Sequence, residues 1–220
     1  QMRAYIEQIS GHDLFYGIQK EKLPEMLDCL GSYTRTYQKN EIIILSREPV
    51  KCVGIILSGM ILMVKEQADG SETLLAHMKQ GELFGETFGC GTRMGARVTF
   101  RTAEKSEALF LPFYKVLHAC SMACVFHHRL IENMVRLICE KNIQLMEKVE
   151  VTSQKTLRDK ILTYLRIQAD RQGADRFEIP LKRTELAEYL CADRSALTRE
   201  LARMKAEGLI FYKKNTFYLK

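Results

Sequence analysis

Between positions 33 and 111 the apolar residues fall in short runs rather than helical stripes: 42–45, 53–57, 61–65, 73–78 and 108–111. Ser58-Gly59, Ala68-Asp69-Gly70, Gly81 and the glycines at 85, 89, 91 and 95 separate them. Short strands broken at this spacing predict a sandwich, roll or small barrel. The Asp69-Gly70 pair between two alternating runs predicts a hairpin. Ahead of the strands, in the segment 14–30, Leu23, Met26, Leu27 and Leu30 recur at helical spacing, which predicts a helix packed on the outside of the β unit.

Past Pro112 the period changes. Positions 120–152 hold no Gly or Pro, and Ile131, Val135, Ile138, Asn142, Leu145 and Val149 follow at gaps of 4, 3, 4, 3 and 4. That is the seam of a two-stranded coiled coil. An Asn at one seam position costs stability but selects an in-register pair, because its amide is best satisfied against the partner's. The spacing therefore predicts a parallel homodimer with these six residues at its interface.

A boundary falls near 151–153. Leu157, Ile161, Leu162 and Leu165 form one helical face, followed by a polar loop expected over 168–176. A short strand at 177–180, a helix at 184–190, a tight turn at 191–193 and a second helix over 194–207 ending at Gly208 come next. Residues 209–212 and 216–219 read as a hairpin around Lys213-Lys214-Asn215. The division predicted is 1–119, 120–152 and 153–220.

Charge sharpens this last segment. The net charge is +6, and residues 151–220 carry 15 Lys and Arg against 9 Asp and Glu while residues 1–150 carry 18 of each, so the whole surplus lies at one end. A basic surplus of this kind fits a polyanion partner. The longest apolar stretches fall far short of the roughly 20 residues that cross a bilayer, and no signal-peptide pattern opens the chain. Seven cysteines without a C-x-x-C pair fit reduced thiols, so the expected location is the cytoplasm, with no membrane partner.

Helix, tight turn, helix and a basic-tipped hairpin form the layout of a winged helix-turn-helix. Leu186, Ala187, Leu190, Leu197, Leu201 and Met204 supply the apolar set that two crossed helices need. Arg194, Ser195, Thr198 and Arg199 share one face near the start of the second helix, with Arg203 further along. An arginine can fork onto guanine O6 and N7, whereas Ser and Thr read bases weakly and bind phosphate well. Asp193 is placed to cap that helix, and Thr184, Lys213 and Lys214 to touch backbone phosphates.

Gly81-Glu82-Leu83 in the glycine-broken β region, the long central helix, Thr184-Glu185-Leu186-Ala187 and the run from Asp193 to Leu201 together resemble the Crp/Fnr family of bacterial transcription regulators. The resemblance covers nearly the whole chain. It implies an α+β fold: an N-terminal double-stranded, cupin-like β-roll of the cyclic-nucleotide-binding type, a dimerisation helix and a C-terminal winged helix-turn-helix. It also implies a homodimer on a palindromic promoter site in double-stranded DNA, contact with RNA polymerase, and a small effector in the roll near Gly81, Glu82, Leu83, Arg93 and Arg97. In the family's cyclic-nucleotide binders, Gly-Glu-Leu opens a cassette whose Glu holds the ribose hydroxyl and whose later Arg-Ser pair clamps the phosphate. Here that pair aligns with Ala96-Arg97, so the effector's identity stays open. Where the cyclic-AMP receptor type has Glu after the first recognition arginine, this chain has Ser195, which implies a different operator.

Other chemistries are thinner. The family's oxygen-sensing iron-sulfur type needs closely spaced N-terminal cysteines, and residues 1–28 hold none. Cys120 and Cys124, with His127 and His128 nearby, could share a helix face as a metal or redox set, or pack as small core residues. No metal or cofactor is assigned. A cupin-like binding protein or enzyme without DNA affinity, using His77 or Glu82 and Glu86, is the alternative; those residues have no catalytic spacing. The glycines at 89, 91 and 95 lack the spacing of a dinucleotide fingerprint.

Overall fold

A computed structural model describes residues 5–89, 95–118 and 125–219. The chain divides into two compact units, Gln1–Ile138 and Cys139–Lys220.

The first unit holds two four-stranded antiparallel sheets. One has the order β1 (Tyr33–Tyr37), β8 (Ser106–Pro112), β3 (Cys52–Ser58), β6 (Leu83–Phe84), and the other β2 (Ile42–Ile44), β7 (Thr99–Thr102), β4 (Met60–Glu66), β5 (Glu72–Lys79). Tyr37, Ile56, Ile61, Met78, Phe84, Phe100, Ala108 and Phe110 meet in one buried cluster contributed by both sheets, which makes the unit a roll. The other face of the first sheet is buried too: Val53, Ile55, Leu57, Leu83, Leu109 and Leu111 pack with α1 (Ile6–Ser10), α2 (Leu23–Leu30), α4 (Phe113–Leu117) and Leu130 and Met134 of α5 (Val125–Thr152), while the short α3 (Glu86–Gly89) follows β6. Strand β3 is thus covered on both sides, which is why its apolar residues run without alternation.

Turn chemistry sets the registers. Gly59 (φ +83°) joins β3 to β4, and a Cβ there would run into Ser106 and the Lys105 carbonyl, so only glycine fits. The predicted hairpin forms between β4 and β5, where Asp69 Oδ1 accepts from Ser71 N at 2.9 Å and Ser71 Oγ at 2.6 Å. Strands β1, β6 and β7 are additions to the expected set. Strand β7 reads as polar in sequence, yet it is the strand between β2 and β4, and Thr102 Oγ1 at its end accepts from Glu41 N at 2.9 Å.

The second unit contains α6 (Leu157–Gln172), β9 (Arg176–Glu178), α7 (Arg183–Tyr189), α8 (Arg194–Ala206), β10 (Ile210–Lys213) and β11 (Thr216–Leu219), with sheet order β10-β11-β9. Helix α6 starts on Thr156, whose hydroxyl accepts from Asp159 N, and ends on Gly173 in the left-handed region (φ 60°). The loop expected from 168 is therefore shorter: the helix runs to Gln172, and Gln168 is buried beside Ile161, Tyr164 and Leu165. Leu186, Ala187, Leu190, Leu197, Leu201, Met204, Ile210 and Phe217 close a single core beneath the helices and sheet.

Candidate nucleic-acid interface

Between α7 and α8 the chain turns through Cys191 in the left-handed conformation (φ 51°), with Ala192 N donating to Ala187 O at 2.9 Å. Asp193 then starts α8. Its Oδ1 accepts from Ser195 N and Ala196 N, each at 2.9 Å, and from the Ser195 hydroxyl at 2.5 Å. The Ser195 hydroxyl first, then the Ala196 amide, hold this carboxyl below its ordinary value, and Arg199 adds to the effect.

Leu197, Leu201 and Met204 bury one side of α8, and Arg194, Ser195, Thr198, Arg199 and Arg203 are exposed on the other. The hydroxyls on that exposed side already have intramolecular partners, since Thr198 Oγ1 donates to Arg194 O at 2.9 Å and Ser195 Oγ to Asp193. Thr184 is exposed in the first turn of α7, which is closed by Lys182 N donating to Glu185 Oε2 at 2.7 Å. Lys213 and Lys214 are exposed at the tip of the β10–β11 hairpin, Lys214 with φ 56°.

Two supports for this surface have no sequence signal. The Arg183 guanidinium lies over the Tyr212 ring at 5.3 Å and Lys205 Nζ over the same ring at 5.1 Å, which fastens the hairpin to α7 and α8. Arg158 of α6 reaches Glu200 of α8 at 2.6 Å and Glu207, just past its end, at 2.7 Å. Only contacts across the unit reveal these pairs, because 42 and 49 residues separate the partners.

In the roll, Gly81 (φ +83°) donates to Ile56 O at 2.8 Å and accepts from His12 Nε2 at 2.7 Å. Glu82 is exposed and its Oε1 accepts from Lys79 N at 3.0 Å, while Leu83 is buried opposite Ile55. Arg93 lies outside the described residues. Ala96 is buried, exchanging backbone hydrogen bonds with Arg47 and Glu48, and Arg97 is exposed. The interior beside this turn is aromatic: Phe84 lies 5.7 Å from Phe100 and 5.8 Å from Phe110, and Phe88 lies 6.5 Å from Phe100. Glu86 is buried and His77 exposed.

Along α5, Ile131 is half-buried and Val135, Ile138, Asn142, Leu145 and Val149 are exposed. Leu145, Met146, Val149, Asn142 and Glu150 line one shallow groove in the second unit. Cys120 and Cys124 lie outside the described residues, while His127 is buried and His128 exposed. Among the described residues no three His, Cys, Asp or Glu side chains gather as a metal site.

A β-roll, a long helix and a winged helix with an arginine-bearing exposed face define a DNA-binding transcription regulator. A cyclic nucleotide-binding domain model matches residues 34–121, and a Crp-like helix-turn-helix domain model matches residues 159–219. The transcriptional activator protein FnrL of Cereibacter sphaeroides is 21% identical over 198 residues, covering 81% of this chain and 72% of that protein. Among solved structures, the c-di-GMP responsive global regulator CLP of Xanthomonas campestris is similar with a TM-score of 0.55 and 19% identity, over 91% of this chain and 99% of that one. DNR of Pseudomonas aeruginosa has a TM-score of 0.51 and 18% identity, over 99% of this chain and 94% of that one. The chain belongs to the Crp/Fnr family.

Proposed function

We propose that two copies of the chain pair through α5 and bind a palindromic promoter site, with α8 of each copy in the major groove, under the control of a small effector taken by the roll. In this reading residues 1–119 sense, residues 120–152 pair the copies and residues 153–220 bind DNA. RNA polymerase is then the protein partner at the promoter. The observation that carries the proposal is the two-sided character of α8. One side is anchored by Leu197, Leu201 and Met204, and the other offers Arg194 and Arg199 next to a capped N-terminus. Arginines so held can reach guanine edges, while Thr184, Lys213 and Lys214 suit phosphate contact.

Pairing is supported by the exposed apolar residues of α5, which include Val135, Leu145, Met146 and Val149. Two recognition helices must sit about 34 Å apart to meet successive turns of the groove. An effector would act by favouring the arrangement of the pair that meets this spacing. Gly81, Glu82, Leu83, Arg93 and Arg97 are the residues assigned to it, with the effector's chemistry left open.

The test is a gel shift with genomic fragments. The chain retards a subset of fragments, binding weakens steeply as salt is raised, and reversing Arg194 and Arg199 to glutamate abolishes the retardation. Undiminished affinity in that double variant would contradict the proposal.

A further inference from the structure

We propose that Ser195 meets DNA only as a hydrogen-bond acceptor, and so selects a base that presents an amino group in the major groove, adenine or cytosine, on the strand it faces. The inference rests on the DNA-binding reading of α8 and deepens it.

A serine hydroxyl has one proton to give and two lone pairs to offer. In α8 the proton is already committed, because Ser195 Oγ lies 2.5 Å from Asp193 Oδ1. The direction of this bond is not open. Asp193 also accepts the Ser195 and Ala196 amides on the same oxygen, which keeps the carboxylate ionised at neutral pH, and an ionised carboxylate has no proton to return. Thr198 is spent in the same way, its hydroxyl donating to the Arg194 carbonyl at 2.9 Å, and a carbonyl can only accept. The exposed face of α8 therefore sorts its polarity: Arg194 and Arg199 donate, and the hydroxyls between them accept.

In the major groove adenine N6 and cytosine N4 are the donors, whereas guanine O6 and N7 and thymine O4 are acceptors. Lone pairs set against lone pairs leave both groups unsatisfied. Every base pair carries one amino and one keto base, so the preference takes the form of strand polarity, with A or C on the strand facing Ser195 and G or T across from it.

The experiment selects bound duplexes from a randomised pool with the wild-type chain and with Ser195→Ala, Ser195→Glu and Asp193→Ala. The wild type is expected to enrich a site in which one position per half-site is A or C, by about fivefold or more over G or T. Ser195→Ala loses the split at that position alone. Ser195→Glu, an acceptor by its charge, keeps it, and Asp193→Ala, which frees the hydroxyl proton, admits G and T. A guanine or thymine at the position that responds to Ser195→Ala, or an enriched site in which no position responds, overturns the acceptor assignment while leaving DNA binding intact. No enriched sequence at all with the wild type overturns the DNA-binding reading itself. If Asp193→Ala folds poorly because its helix cap is gone, the contrast between Ser195→Ala and Ser195→Glu still decides the matter.

Discussion

Arg158 and Glu207 face each other in a two-pronged salt bridge, with Nη1 and Nη2 donating to the two carboxylate oxygens at 2.7 and 2.9 Å. The third edge of the same guanidinium holds Glu200 at 2.6 Å, so one side chain of α6 fixes α8 near its middle and just beyond its end. A double-mutant cycle on Arg158→Ala and Glu207→Ala should give a favourable coupling that shrinks as salt is raised. Arg158 holds the Glu207 carboxyl below its ordinary value of 4.5, so the pair's contribution is present above that value and is lost as pH falls through the lowered one. Melting curves from neutral to acid pH check this: the gap between wild type and Arg158→Ala should close on acidification.

Gly54 and Phe84 are cross-strand partners, and the Phe84 ring occupies the space a Cβ on Gly54 would need. Gly54→Ala should cost about 1–3 kcal/mol by overpacking. Phe84→Ala should cost about 3–5 kcal/mol by opening a cavity among Phe100 and Phe110. Combining Gly54→Ala with Phe84→Leu should cost less than the two single changes added together, which denaturant unfolding would measure.

His12 joins the N-terminal segment to the Gly81 turn, because Nε2 binds Gly81 O while Nδ1 accepts from Leu14 N at 3.0 Å. The neighbouring carbonyls of Leu14 and Tyr16 are in turn held by the buried Asn133 amide of α5, at 2.9 and 2.8 Å. Burial keeps the His12 ring below the ordinary histidine value of 6.5, partly opposed by the Gly81 carbonyl and by Asp13. Protonation would remove the acceptor for Leu14, so His12 contributes fully above that value and its contribution fades as pH drops through the lowered one. His12→Gln should flatten this part of the stability profile between neutral pH and pH 5.

Asn142, like Ile138 and Leu145, is exposed on α5, on the stripe through which we propose that two copies pair. Replacing Leu145 and Val149 with glutamate should shift the chain to a monomer in sedimentation. Asn142→Ile should do the reverse, raising the stability of the assembly while loosening its restriction to two copies.

Strands β3 and β4 are legible in sequence because their apolar runs end at turns that hold a glycine with positive φ, Gly59 and Gly70, and β8 because its run stops at Pro112. Strand β7 is not, since Thr99, Arg101 and Thr102 look like loop and become strand only through pairing on both sides. Likewise α6 outruns its expected end: a buried Gln168 reads as polar, and the true stop is Gly173. At the candidate interface, spacing alone identifies the exposed face of α8 and the Asp193 cap. It carries no information on where the Ser195 and Thr198 hydroxyls point, nor on the Arg183 and Arg158 contacts that hold the surface in place, because rotamers and long-range partners leave no periodic trace.

Sedimentation of the chain with a short duplex carrying its selected site weighs this account most directly. Two protomers per duplex are predicted, with complex formation lost on reversing Arg194 and Arg199 to glutamate. One protomer per duplex, or an unchanged complex with the reversed arginines, would contradict it.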